Sequence, residues 1–359
     1  MISQKALQHA QKCRFCWMCR HLCPVQHQTG KELNTPRAKG LLLSMVSKNS
    51  AEFDKDMAQA MYECMLCDAC VNDCCTGYQP PLFIREARTE AVVNDLAPES
   101  VMKLIENIEN SGNIYGIEKP SFAQEGTDVL VYVGEVAACK VPQMAKALLS
   151  ILKKAGVSAK VLDKEPASGF MLADLMGYVE EVAEQAKACA NAINEANLPT
   201  VIVLDSYDAE IMLQHYAEWG CEINAEVVTA TAYVDKLLKE GKISPKSVKN
   251  LSGVCHDDDR LARSFHEFEP IRNIAKASGF EMSEMFNKER LAKSCGTALA
   301  LAYMPEITVK VAGGRWQDML RTNTNAMLVA NPEAFLCLNE CVPQEKELVD
   351  LFTALDKLL

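Results

Sequence analysis

Eight cysteines among the first 74 residues share one spacing. Cys13, Cys16, Cys19 and Cys23 lie in CRFCWMCRHLCP, and Cys64, Cys67, Cys70 and Cys74 lie in CMLCDACVNDCC, so each group reads C-x2-C-x2-C-x3-C. Thiols three residues apart on a turning backbone converge on one cube of iron and sulfide, while the fourth, offset by four, points away and reaches the neighbouring cube. Thiolates are soft ligands that suit iron–sulfur clusters and zinc. Zinc sites usually pair two C-x2-C knuckles, not three thiols plus a fourth, and here the pattern occurs twice. The spacing therefore predicts two [4Fe-4S] clusters: cluster I on Cys13, Cys16, Cys19 and Cys74, and cluster II on Cys64, Cys67, Cys70 and Cys23. Pro24 turns the chain after the last thiol of the first motif. Cys75 reads as a spare buried thiol. Trp17 reads as a shield against water, and such burial helps set a cluster's potential. His9, His21 and His27 are left as surface or supporting residues, because eight thiols already complete two sites.

The rest of the chain must position these groups. It has 359 residues, enough for two or three domains, and is 49% hydrophobic and 24% charged, an ordinary globular composition. No run of eighteen apolar residues predicts a membrane span, and MISQKALQHAQK lacks the apolar centre of a secretory signal. The net charge of −11, spread along the chain, argues against a nucleic-acid partner. Nine of the sixteen cysteines lie between Cys13 and Cys75. Without a signal, that grouping points to metal ligation in a cytoplasmic protein and not to disulfides.

Between the motifs, TPRAKGLLLSMV and AEFDKDMAQAMYEC have helical apolar spacing, with Asn34 or Thr35 before Pro36 as a helix start. Eight matched cysteines and the PRAKGLLL segment resemble the α-helical ferredoxin domain found in the iron–sulfur subunits of fumarate reductases and in the C-type subunit of heterodisulfide reductases. Past residue 96 the pattern loosens into Gly, Asn and Pro. From residue 128 strand and helix patterns alternate: DVLVYVG, the helical VPQMAKALLSILKKAG, AKVLD, one long helix over MLADLMGYVEEVAEQAKACANAINEA, and TVIVLD. A similar order recurs from NLSGVCHDDD through EPIRNIAKASGF and SCGTALA to TNAMLVANPEAF, which suggests an internal repeat.

The second of these lobes resembles the CCG domain of the B-type and D-type heterodisulfide reductase subunits and of the iron–sulfur subunits of glycolate oxidase and anaerobic glycerol-3-phosphate dehydrogenase. That pattern is a Cys, then Cys-Cys-Gly, then Cys-Pro-x-Cys. Cys255 matches the first Cys, Ser294-Cys295-Gly296 the second element and Asn331-Pro332-Glu333-Ala334 the third. In the first lobe Glu135, Ala167-Ser168-Gly169 and Asp205-Ser206-Tyr207-Asp208 take these places, and no family thiol remains. The implied fold is α+β multidomain: an α-helical ferredoxin domain over 1–111, a linker over 112–127, and two CCG-type α/β lobes over 128–245 and 246–359. Carboxylates and a hydroxyl are hard ligands, so no cluster is expected in the first lobe. In the second, Cys255 and Cys295, with Cys337 and Cys341 nearby, either converge on a metal or stand as four unligated thiols in an α/β core. Glu135, Asp205 and Asp208 either form a carboxylate cluster at the strand ends, where α/β sheets bind ligands, or are solvated loop residues. His256 and Asp257 to Asp259 read as a solvent-facing acidic loop. His215 and His266 read as structural residues on helices.

The chain shows neither G-x-G-x-x-G nor a P-loop, so a wire of two clusters needs a partner to supply electrons. The expected function is an electron-transfer subunit within a hetero-oligomer, served by a flavoprotein dehydrogenase or electron-transfer flavoprotein. A membrane-bound or quinone-linked partner is compatible. The alternative is a catalytic subunit, heterodisulfide reductase-like or oxidising a hydroxy acid, with a residual metal site at Cys255 and Cys295. A redox-sensing adapter is a distant third, since no DNA-binding charge or helix-turn-helix pattern is present.

Overall fold

The computed structural model describes residues 2–246 and 251–359; the start of the predicted second lobe, 247–250, lies outside the described residues. It is a mixed α/β molecule with two small parallel sheets and twenty α-helices among the described residues.

Residues up to 111 are all helix and loop. Thr35 caps the Pro36–Ser47 helix by accepting from the Ala38 N–H at 3.2 Å, with Pro36 at the first helical position. Asp54 caps Lys55–Tyr62 in the same way, at 2.9 Å from the Met57 N–H. Pro80 and Pro81 open Pro80–Val93, and Glu99–Ser111 buries Val101, Leu104, Ile105 and Ile108 on one face before Gly112 stops it. The stretch expected as a linker is packed: Asn113 and Ile114 are buried, and Gln124 bridges to Val161.

The first sheet holds β1 (Val129–Tyr132), β2 (Ala159–Lys160), β3 (Thr200–Val203) and β4 (Glu226–Thr229) in the order β2-β1-β3-β4. The second holds β5 (Leu251–Cys255), β6 (Phe280–Ser283), β7 (Ala326–Val329) and β8 (Glu347–Asp350) in the matching order β6-β5-β7-β8. All pairs are parallel. The central strands β1 and β7 are fully apolar and buried, as sheets covered on both faces require. The helices cross over in matched fashion too. Pro142–Lys154, which leads into β2, packs on Leu351–Asp356, which follows β8; Glu269–Ala277, which leads into β6, packs on Ala230–Lys239, which follows β4. One apolar core, including Leu148, Leu152, Ile274 and Phe352, joins both sheets.

The single long helix expected after residue 170 is two helices, Phe170–Met176 and Glu180–Glu195. Gly177 breaks it at φ +80°, where a Cβ would lie 2.3 Å from the Thr89 hydroxyl and 2.7 Å from the Arg85 carbonyl. The break lets the amino-terminal helices dock there. Arg85 pairs with Asp174 at 2.8 Å, Tyr62 donates to the Leu175 carbonyl at 2.8 Å, and Thr89 donates to the Met176 carbonyl at 2.7 Å.

Candidate metal centres

The two thiol motifs fold alike. Phe15 and Trp17 in the first, and Leu66 and Asp68 in the second, all adopt left-handed backbone. In both, the N–H two residues after the first cysteine points at its sulfur, Phe15 to Cys13 and Leu66 to Cys64, each at 3.4 Å. These turns are tight enough to bring successive thiols to one side.

One cavity, enclosing about 400 Å³, is lined by Cys23, Cys64, Cys67 and Cys70. A second, of about 420 Å³, is lined by Cys13, Cys16, Cys19 and Cys74. Cys70 lines both, so the cavities adjoin. No group of three or more His, Cys, Asp or Glu side chains among the described residues is arranged to hold a single metal ion. Soft donors grouped in fours around such volumes fit a multi-iron group.

Buried cations gather around the first cavity. Lys39 is buried and donates its ammonium to the Ala60 carbonyl. Arg88, also buried, donates to the Met61 and Cys64 carbonyls at 3.2 and 2.8 Å. Arg263 reaches from the second sheet region to the Cys67 carbonyl at 2.6 Å, and Arg260 pairs with Asp68 at 2.8 Å. Burial pushes the Cys23 thiol up to about 11 and holds Cys67 and Cys70 above the ordinary range. Ionised sulfurs there need positive partners, and bound iron would supply them.

The second cavity lies at the surface. Cys16 is exposed, and Trp17, expected as a shield, lines the cavity with 43% of its surface still open. Burial pushes Cys19 up to about 11. At Cys74 burial acts in the same sense, but hydrogen bonds from Thr76, Tyr78 and Gly77 outweigh it and leave the thiol below its usual value. Cys75 is exposed, not buried as expected. His21 and His27 are exposed and His9 half-buried.

The lobe positions behave otherwise. The strand register sets Cys255 beside Leu328, three residues before the helix-capping Asn331, and sets Val131 beside Ile202, three before the helix-capping Asp205. Cys255 thus occupies the place of Val131, and Glu135 corresponds to Asp259, the first residue of the next helix. Cys255 packs in the core shared by the sheets, whereas Cys295 and Cys337 pack together in a separate core with Cys341 at its edge. The four thiols therefore do not surround one point.

Acids and hydroxyls fill the seam between the sheets. Asp205 and Asp208 are buried, not solvated, and so are His256, Asp257, Asp258 and Asp259. Arginines and hydroxyls explain this. Asp257 accepts two bonds from Arg272 at 2.8 and 3.1 Å, and Arg263 pairs with Asp259. Asp259 also accepts from Ser294 at 2.6 Å and Tyr207 at 3.1 Å. Ser206 donates to Asp258 at 2.6 Å and accepts from Asn331 at 2.6 Å, while Ser168 donates to Asp208. Burial raises Glu135 to about 8, Asp208 to about 7 and Asp258 to about 6, and holds Asp205 and Glu333 above the carboxylate range. Glu135, Ser168, Asp208 and Lys119 border a cavity of about 340 Å³. His215 caps its helix beside Tyr178 and Trp219, and His266 lies in a loop, not on a helix.

No family model matches the chain. The EtfAB:quinone oxidoreductase of Syntrophomonas wolfei subsp. wolfei is 25% identical, covering 92% of this chain and 53% of its own length. The probable iron-sulfur-binding oxidoreductase FadF of Bacillus subtilis is 21% identical over 79% of this chain and 43% of its own. The D-type subunit of the dihydromethanophenazine:CoB--CoM heterodisulfide reductase of Methanosarcina acetivorans is 22% identical over 91% of this chain and 87% of its own. The chain thus spans about half of the first two relatives and most of the third. A crystal structure of a hypothetical protein from Helicobacter pylori shares the fold, with a TM-score of 0.58 at 10% identity over 98% of this chain and 72% of its own. The names of these relatives point to an iron–sulfur oxidoreductase or electron-transfer subunit. Paired thiol quartets, in a chain that such relatives match along most of its length, make it similar to heterodisulfide reductase-type iron–sulfur proteins.

Proposed function

We propose that the chain is an electron-transfer subunit that relays electrons between a flavoprotein partner and an acceptor through two [4Fe-4S] clusters, in a helical domain over 1–111 followed by two lobes over 128–245 and 246–359. Cys13, Cys16, Cys19 and Cys74 hold one cluster, and Cys23, Cys64, Cys67 and Cys70 the other. The observation that carries this reading is the pair of adjoining cavities lined by these two quartets. When bound, each cluster accepts and releases one electron at a potential tuned by burial, charge and hydrogen bonds to its sulfurs. Lys39, Arg88 and Arg263 place positive charge around the inner quartet, which favours the more reduced, more negative state there. The Phe15 and Leu66 amides donate to sulfur and act in the same sense. The flavoprotein partner is proposed because one relative is named as an EtfAB:quinone oxidoreductase.

Anaerobically purified protein should contain about eight irons and eight acid-labile sulfides per chain and show a reduced-cluster signal in electron paramagnetic resonance after dithionite treatment. Protein that binds only zinc, or neither iron nor sulfide, ends the proposal. The alternative of a residual catalytic site at Cys255 and Cys295 has no observation in its favour, because these thiols lie in separate cores.

A further inference from the structure

We propose that the basic, aromatic face over the Cys13, Cys16, Cys19 and Cys74 cavity docks an acidic electron-carrier protein bearing a reduced flavin. This rests on the two-cluster reading and adds the face used and the chemistry of what binds it. Phe15, Trp17 and Met18 stand next to one another in the first thiol loop and are 50%, 43% and 54% exposed. They are held in place. Arg37 stacks 3.4 Å from the Trp17 ring centroid and 5.8 Å from that of Phe15, and Arg20 covers Trp17 at 5.5 Å. From Arg37 the same face of the Pro36–Ser47 helix continues at i+4 and i+8 through Leu41 and Met45, 48% and 37% exposed. Apolar side chains exposed singly need no explanation, but five gathered on one loop and one helix face mark a contact surface.

Charge selects the partner. Residues 1–48 carry eight Lys or Arg and one acid, Glu32, in a chain of net charge −11. The charge is therefore not evenly spread: a cationic end is joined to a strongly acidic remainder. Arg14 and Arg20 are exposed at the rim of the aromatic patch. Such a rim steers an acidic protein into place and repels a basic one. An anionic membrane would also suit a basic aromatic face. A carrier protein fits better, because Trp17, Met18 and Arg37 also line the thiol cavity, so a carrier docked on this face sits beside it. The step moves one electron. The partner's reduced flavin is oxidised by one equivalent, the four-iron group is reduced by one, no bond forms between the proteins, and any proton the flavin releases goes to water.

The test uses the full chain with its iron verified, mixed anaerobically in a stopped-flow instrument with photoreduced flavodoxin, an acidic flavin protein. The second-order rate should fall steeply with added salt. Arg14→Glu combined with Arg20→Glu should lower the low-salt rate by about tenfold or more and flatten the salt dependence. Leu41→Glu combined with Met45→Glu, outside the cavity lining, should also slow the reaction. Iron content and dithionite reduction are measured on every variant. Variants with full iron that flavodoxin reduces as fast as the parent, with the same salt dependence, overturn the proposal. So does sedimentation with phosphatidylglycerol vesicles that the charge reversals abolish while flavodoxin rates stay equal. Absence of clusters from the parent protein would instead sink the two-cluster reading.

Discussion

The thiol cavities of residues 13–74 and the acidic seam between the sheets both withdraw ionisable groups from water, with opposite partners. Around the inner quartet cations are prominent: beside Glu63 and Asp68, the residues Lys39, Arg88 and Arg263 reach in, and two of these three cations bind carbonyls of the cysteines themselves. In the seam the neighbours are mostly other acids, bridged by Ser168, Ser206, Tyr207, Ser294 and Asn331. The first arrangement suits sulfur anions around a metal group. The second favours carboxyls that keep their protons and hold the lobes together. Several of these hydroxyl, amide and carboxyl groups stand where the CCG pattern would carry thiols. At those positions the structure holds a hydrogen-bonded joint.

The contrast is tested most sharply by cysteine replacement. On the two-cluster proposal, Cys67→Ser should cost the protein about four of eight irons, whereas Cys295→Ser and Cys337→Ser should leave the iron count unchanged. Equal iron loss from either set would erase the distinction between the regions. Gly177→Ala strikes where the regions meet. Its strained φ and its overlap with the Arg85 backbone should destabilise the protein by about 2–4 kcal/mol, seen as a lower thermal midpoint.

The seam should also respond to pH. Asp208 is raised to about 7 and Glu135 to about 8, while unfolded carboxyls lose their protons near pH 4. Between these limits the folded chain binds more protons than the unfolded one, so stability falls as pH rises from about 4 to 8. Asp208→Asn should shrink the difference between denaturation midpoints at pH 5 and pH 8 by the equivalent of about 1–3 kcal/mol. An unchanged difference would mean that the seam acids are ionised throughout. Smallest is the effect at Cys75: exposed and outside both quartets, its replacement by serine should change stability by less than about 0.5 kcal/mol and leave the iron content intact.

What could be read in advance followed from local physics. The thiol spacing named eight residues, Thr35 and Pro36 marked a helix start, the apolar runs of β1, β3 and β7 announced strands, and LSGVC read as a strand end. The outer strands β4, β6 and β8 escaped notice because EVVT, FEMS and ELVD are short and only partly buried. The break at Gly177 was hidden because apolar spacing continues across it. The HDDD segment looked solvated because aspartates usually are. Arg263 lies one turn along the same helix, but Arg272 and Ser294 are recruited by the fold, and only their placement makes burial tolerable. The same holds for Arg260 and Arg263 beside the inner cavity, which come from nearly two hundred residues away.

That separation has a consequence for how the protein is made. Arg260 and Arg263 follow their partners Asp68 and Cys67 by 192 and 196 residues. At a synthesis rate of roughly 5–20 residues per second, the inner thiols leave the ribosome about 10–40 s before the residues that close over them. For the proposed clusters this leaves an open period during translation, which completing the carboxyl-terminal lobe would end. A nascent chain stalled at residue 250 should therefore leave Cys67 reactive towards thiol reagents that the finished, iron-loaded protein excludes.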